Sequence, residues 1–279
     1  MVNLLKLLLF LLCTTAFGDG VTPLDDTCEL WLAAKGKKTK GVMVVTHGLN
    51  LRPARLNEFA EFYAANGYEV LRPSFAGHCK GAGDLLKIQP EFWENDAQRF
   101  HALAKAKADE LKVPLYLTAY SFSALIYQSM SNELPFAKRI YLAPALETHF
   151  WYPIVIFLIN LWPIEFFRTL IPDGYFAQEY GGSRSVLAMN HFFAMWNQKR
   201  NALEKVPTLV WASLSDELVR GPKLKILAES RAGWQFRELG VAGSTLPKSY
   251  HHLIVDSAAL GPTEWKRVTE ESLAFLEKP

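Results

Sequence analysis

The sequence is short of charge of either sign in excess: over 279 residues the formal net charge is +2 with the histidines neutral. It has no basic tract interleaved with aromatics, which removes the electrostatic footprint of a nucleic-acid-binding domain. The short lysine-rich run 35–40 reads as a solvated turn between two strands. Cysteine is scarce, with three in the chain, and neither the cysteines nor the seven histidines fall at zinc-ligand spacing. No internal repeat or low-complexity tract is present. Long uninterrupted apolar runs are missing too. The heaviest apolar stretch, Phe150 to Pro163, is broken by Pro153 and Asn160 and followed by Glu165, a poor pattern for a bilayer span. What is there is a hydrophobic fraction of 50% and an aromatic fraction of 13%. That is enough for one large α/β domain with a sizeable core, or two small ones.

The first residues stand apart. Lys6 precedes the continuous apolar run Leu7 to Leu12, and Ala16-Phe17-Gly18 puts small residues where a signal peptidase requires them. Residues 1–18 are therefore expected to be a secretory signal, with an uncleaved anchor as the alternative. A lipoprotein site at Cys13 is disfavoured by bulky Leu12. The location implied is secreted or in the cell envelope. Cys28 and Cys79 then remain, and an oxidising compartment permits one disulfide between them. Sequence alone leaves two free thiols as the equal alternative.

Beyond the leader, strands and helices alternate. Glu29 to Ala33 and Gly41 to Thr46 read as strands, the second apolar enough to be buried on both faces. A helix is expected from Pro53 to Asn66 and a strand over Tyr68 to Pro73. A long helix covers Pro90 to Leu111. Leu115 to Tyr120 is a strand that stops at Ser121, and an apolar helical pattern follows. Arg139 to Pro144, Pro207 to Ala212 and Trp234 to Leu239 supply further strands, with a helix near Lys223 to Arg231 and a last one opened by Pro262. This rhythm predicts a mostly parallel sheet covered by helices on both faces, with a site at the carboxyl ends of its strands.

The chemistry-bearing residues fall there. Ser121 sits at the tip of a strand–turn–helix, flanked two residues away on each side by Ala119 and Ser123, as a strained nucleophile turn needs small neighbours. A buried serine ending a core strand is the bland alternative. Asp216 follows the strand ending at Ala212, and His251-His252 lies beyond the last strand, so the chain order is Ser, Asp, His. Of the adjacent imidazoles only one can face the serine. Glu147 and Asp256 are the competing acids, and Glu217 and Asp256 read better as surface or helix-start residues.

Taken together, His47-Gly48-Leu49-Asn50, Ala76-Gly77-His78-Cys79-Lys80-Gly81, Ala119-Tyr120-Ser121-Phe122-Ser123, Ser215-Asp216-Glu217 and His251-His252-Leu253-Ile254 resemble the α/β-hydrolase superfamily. The likeness is nearest to its monoacylglycerol-lipase and serine-aminopeptidase-like branch and covers roughly residues 28 to 278. It departs from the usual pattern in lacking glycine at positions 119, 123 and 79. The resemblance implies a serine hydrolase of carboxylic esters, with lipid-like or monoacylglycerol-type substrates favoured and no cofactor called for. Ser121 would be the nucleophile, His252 the base (preferred over His251 because Leu253 and Ile254 match the apolar pair after that histidine) and Asp216 the acid. Backbone N–H groups of Leu49 and Phe122 would form the oxyanion hole, and His47 and His78 would organise loops. The alternatives are a thioesterase or peptidase with the same triad, or a non-catalytic binder of apolar ligands.

Residues 147–206 are too long for an ordinary connection. They are expected to form a helical cap between the core segments 19–146 and 207–279. Its aromatics, with Phe192, Phe193 and Trp196 in a second piece, suit an acyl pocket and contact with a lipid surface.

Overall fold

The computed structural model describes residues 28–36, 38–79, 85–162, 167–169, 171–200, 205–246 and 250–278. The expected leader, residues 1–18, lies outside them. Seven strands form one sheet: β1 (Leu30–Leu32), β2 (Gly41–Thr46), β3 (Tyr68–Arg72), β4 (Leu115–Tyr120), β5 (Lys138–Leu142), β8 (Thr208–Ala212) and β9 (Trp234–Glu238), in the spatial order β1-β3-β2-β4-β5-β8-β9. All neighbours run parallel except β1, which pairs antiparallel with β3 through Leu30↔Arg72 and Leu32↔Val70. The lysine-rich turn thus separates two strands that do not pair with each other. Between β5 and β8 a short antiparallel ladder, β6 (Phe167–Arg168) with β7 (Tyr180–Gly181), stands apart from the sheet.

The helices are α1 (Asn57–Ala65), preceded by a 3-10 turn at Pro53–Leu56, then α2 (Pro90–Leu111), α3 (Phe122–Ser129), α4 (Tyr152–Leu161), α5 (Ser183–Lys199), α6 (Gly221–Glu229), the short α7 (Ser257–Leu260) and α8 (Pro262–Glu277). Period-two alternation assigns the strand side chains to two cores. Val42 and Val44 face a cluster with Trp93 and Phe100 of α2, Leu125 of α3 and Leu224 of α6. Met43 and Val45 face the opposite cluster, built with Phe59 and Tyr63 of α1 and Val268 and Phe275 of α8. Burial on both faces explains why β2, β4 and β8 are buried from end to end. The long helix over 90–111 matches the expectation to the residue because Pro90 opens it and Lys112 closes it in a left-handed conformation, φ 54°.

The segment between β5 and β8 packs on the helix that follows Ser121. Phe192 of α5 lies against Trp93 and Phe122, and the Trp196 indole N–H donates to the Leu146 carbonyl. Helix α4 is different: Tyr152 and Ile159 are buried, while Phe157, Leu158 and Leu161 are exposed, as are Phe150 and Trp162 just beyond its two ends. Among the described residues, no helix is long and apolar enough to cross a membrane.

Candidate active site

Strand β4 delivers Ser121 to the centre of the sheet's carboxyl edge. Its backbone is at φ 52° and ψ −110°, a left-handed conformation that costs a non-glycine residue about 1–3 kcal/mol and persists only where neighbours impose it. Here they do: the Ser121 N–H donates to Leu142 O at 2.8 Å, and its carbonyl accepts from Ala145 N at 3.0 Å. At position 119 the strand is packed without exposed surface. At 123 the hydroxyl is used. Ser123 Oγ accepts from Thr46 Oγ1 at 2.9 Å, and its own proton faces Thr46 O at 3.1 Å and Tyr120 O at 3.0 Å.

The Ser121 hydroxyl meets His252: Oγ to Nε2 is 2.8 Å. The other ring nitrogen, Nδ1, is 2.8 Å from Asp216 Oδ2 and 3.1 Å from Oδ1. An anionic neighbour there makes Nδ1 the protonated nitrogen and leaves Nε2 free to accept. Asp216 Oδ1 also accepts the N–H groups of Leu218 and Val219, at 2.8 and 2.9 Å, so the carboxylate is held by its own turn. All three residues are buried. Burial works to lower the basicity of His252, but the charges of Asp216 and Glu217 and the hydrogen bond to Asp216 outweigh it and raise its pKa above the ordinary histidine value.

The competing residues lie elsewhere. The neighbouring imidazole, His251, turns to Ser213 Oγ at 3.2 Å. The carboxylate of Glu147 pairs with Arg200. Asp256 caps α7 through the Ala259 N–H and is bound by Tyr175 Oη at 3.0 Å and Arg55 Nη1 at 3.4 Å. Neither acid meets an imidazole.

The loop after β2 is laced to the loop after β3 by two histidines. His47 Nε2 accepts the Phe75 N–H at 3.0 Å, and its Nδ1 lies 2.9 Å from Gly48 O. His78 Nε2 accepts the Asn50 N–H at 2.8 Å, and its Nδ1 faces Ala76 O at 3.1 Å. Both rings are buried, and burial pushes their pKa values down, His78 to about 4. Gly48 has no room for a side chain: a Cβ there would lie 2.6 Å from the Tyr120 ring and 3.3 Å from Ser121 Cβ. The loop backbone at Gly48 therefore runs against the serine turn. Phe122 opens α3, where a helix leaves its N–H without an intrahelical acceptor. Cys28 and Cys79 form a disulfide with Cα atoms 5.4 Å apart, anchoring the residue next to His78.

Three contacts had no signal in the sequence. Asn50 takes a left-handed φ of 54° and binds Gln178 on both sides of its amide, tying the region between β6 and β7 to the loop after β2. Tyr120 Oη donates to the His252 carbonyl at 3.1 Å. Glu217 Oε2 accepts the N–H groups of His251 and His252.

No family model matches the chain, and no curated protein matches it in sequence. Solved structures do. A soluble variant of a monoglyceride lipase from Saccharomyces cerevisiae aligns with a TM-score of 0.71 at 12% identity, over 95% of this chain and 98% of its own. One of two metagenome-derived lipolytic enzymes aligns at 0.70 with 19% identity, over 92% and 100%. A monoacylglycerol lipase from Paleococcus ferrophilus aligns at 0.63 with 14% identity, over 91% and 98%. At these identities the likeness is one of fold, and the fold is that of the α/β-hydrolases.

Proposed function

We propose that this α/β-hydrolase-fold chain is a serine hydrolase of carboxylic esters, with lipid-like, monoacylglycerol-type esters favoured. The observation that carries the reading is the hydrogen-bonded relay from Asp216 through His252 to Ser121 on a left-handed turn. Ser121 Oγ attacks the acyl carbon while His252 Nε2 removes its proton. Asp216 holds the tautomer and stabilises the imidazolium that forms. The N–H groups of Leu49 and Phe122 receive the oxyanion, each donor worth about 3–4 kcal/mol in the transition state. Collapse expels the alcohol, protonated by the imidazolium, and leaves an acyl ester on Ser121. Water then attacks that ester with His252 again as base, the Oγ–acyl bond breaks, the imidazolium returns its proton to Ser121, and the carboxylic acid leaves.

Residues 147–206 act as the cap in this reading. Their buried aromatics beside Phe122 suit an acyl chain, and the lipases among the solved structures of this fold point the same way. The exposed face of α4 supports peripheral contact with a lipid surface, because a contiguous apolar patch is costly to leave in water. The Cys28–Cys79 disulfide supports an oxidising, secreted or envelope location.

A fluorophosphonate probe tests the core of the proposal. It should label the native protein and fail on Ser121→Ala; a folded, unlabelled native protein would instead be a binder of apolar ligands. Ester chain-length profiling tests the substrate class, since equal turnover of acetyl and longer acyl esters would remove the lipid preference. Faster turnover of thioesters or peptides would reassign the leaving group. Flotation with phosphatidylcholine vesicles tests the cap, where Phe157→Ser with Trp162→Ser should abolish binding.

A further inference from the structure

The mechanism above uses one of two consecutive carboxylates. Glu217 is exposed, yet one of its oxygens, Oε2, receives two successive backbone N–H groups, from His251 at 3.0 Å and His252 at 3.2 Å. Two adjacent amides converging on one anion make a small backbone cradle, and bonds to a charged acceptor are the strong kind. The sequence separations are 34 and 35 residues, so this is a tertiary fastening. The turn after β8 therefore grips the histidine loop twice, Asp216 by the ring of His252 and Glu217 by its main chain.

We propose that Glu217 is a positioning residue for His252, fixing the backbone from which the imidazole projects. The inference rests on the reading of Ser121 and His252 as nucleophile and base. Its logic is that of divided labour. A ring held only by Asp216 still swings with its main chain, and a misplacement of about 1 Å is enough to cost about a hundredfold in rate. The Glu217 charge adds to that of Asp216 in stabilising the imidazolium, whether it forms by taking the Ser121 proton or by protonation from solvent at low pH.

Other titratable groups lie around His252 and the two carboxylates. Tyr120 lies 5.4 Å from the His252 ring, centroid to centroid. His149 Nε2 bonds the Asp216 carbonyl at 3.3 Å, and His251 is held by Ser213. Tyr250 is flanked by the charges of Glu217 and Asp173, and Asp256 acts on Tyr120. Of the anions, Asp216 and Glu217 are those that act on His252, and both favour its charged form.

The test compares native protein, Glu217→Gln and Glu217→Ala by the pH dependence of kcat/KM on a short-chain p-nitrophenyl ester. Gln keeps an acceptor and loses the charge, so the acid limb should move down by about half a pH unit. Ala loses both, and should add about a tenfold fall in kcat with little change in KM. The same comparison is made without turnover by following the His252 imidazole by NMR in a Ser121→Ala background. An imidazole pKa that does not fall in Glu217→Gln, or a Glu217→Ala protein with native kcat and pH profile, overturns the proposal. Native protein that neither hydrolyses esters nor takes the fluorophosphonate overturns the underlying reading instead, and the NMR titration still decides whether Glu217 acts on His252.

Discussion

Acid should weaken this fold through His78, by an amount the site geometry fixes. The ring is buried and neutral. Its Nε2 must be an unprotonated acceptor for the Asn50 N–H, and its Nδ1 proton faces a carbonyl. Protonation would set two donors against each other 2.8 Å apart. Burial lowers the His78 pKa to about 4 from the model-peptide value of 6.5. A histidine depressed on folding binds its proton more tightly in the unfolded chain. Its contribution is intact above the unfolded pKa and is lost as pH falls from there toward the folded one. Integrating between pH 7 and pH 5 gives a loss of about 2 kcal/mol from this residue alone. His47 adds a loss of the same sign. The raised pKa of His252 acts oppositely, contributing stability below its unfolded value that fades as pH rises through the folded one. Urea unfolding across this range, run on native protein and His78→Gln, separates the histidine pair from the rest, because the variant removes the His78 titration and the part of the His47 depression that the His78 charge supplies, leaving the burial part. The native curve should lose about 2 kcal/mol more than the variant over those two pH units. Parallel curves would refute the assignment of His78 as a neutral brace, whatever offset the variant shows at pH 7.

The two buried aspartates near the site should fail in different ways. Asp216→Ala should lower kcat by about 10³–10⁴-fold with the fold intact. Asp256→Ala should retain the activity of its folded fraction but lose about 3–5 kcal/mol of stability by leaving the buried Arg55 guanidinium without its partner; a reversed pattern in calorimetry and ester turnover would exchange their roles. Ser123→Ala should cost about 1–3 kcal/mol, because the buried Thr46 hydroxyl loses its acceptor. Adding Thr46→Val should cost little more, and strictly additive losses in a double-mutant cycle would mean the two hydroxyls do not interact. Reducing Cys28–Cys79 releases a cross-link of sequence separation 51, worth about 4 kcal/mol of unfolded-state entropy. Its thermal signature is a fall of about 10 °C in Tm, and an unchanged Tm under dithiothreitol would rule out the bridge.

The strands and long helices were legible because burial on both faces and proline or left-handed ends leave plain marks in the sequence. β2, β4 and β8 are apolar runs that end where the chemistry begins. The antiparallel pairing of β1 with β3 was not legible, since nothing local distinguishes a strand's partner. Ser121, Asp216 and His252 could be placed at strand ends from their order, and the geometry brings them together. The choice between His251 and His252 depends on which imidazole Ser213 captures, a contact 38 residues away in sequence. Glu217 read as a surface residue, and it is exposed; that it also holds two amides 34 and 35 residues away in sequence is a tertiary fact with no periodic or compositional trace.

The departures from glycine at the turn carry the same lesson in reverse. Ala119 stands opposite Thr46 in the β2–β4 register, and Ser123 bonds both the hydroxyl and the carbonyl of that threonine. Thr46 immediately precedes His47-Gly48-Leu49, the loop whose amide would meet the oxyanion. Where glycine would merely leave space, Ser123 ties the turn bearing Ser121 to the end of the strand that leads into His47-Gly48-Leu49. The left-handed strain at Ser121 is then opposed from two sides, by Leu142 and Ala145 through the backbone and by Thr46 through a side chain. A residue that weakens a sequence pattern can still add a contact the pattern lacks, and in this chain the Ser123 hydroxyl does so by joining the turn after β4 to the end of β2.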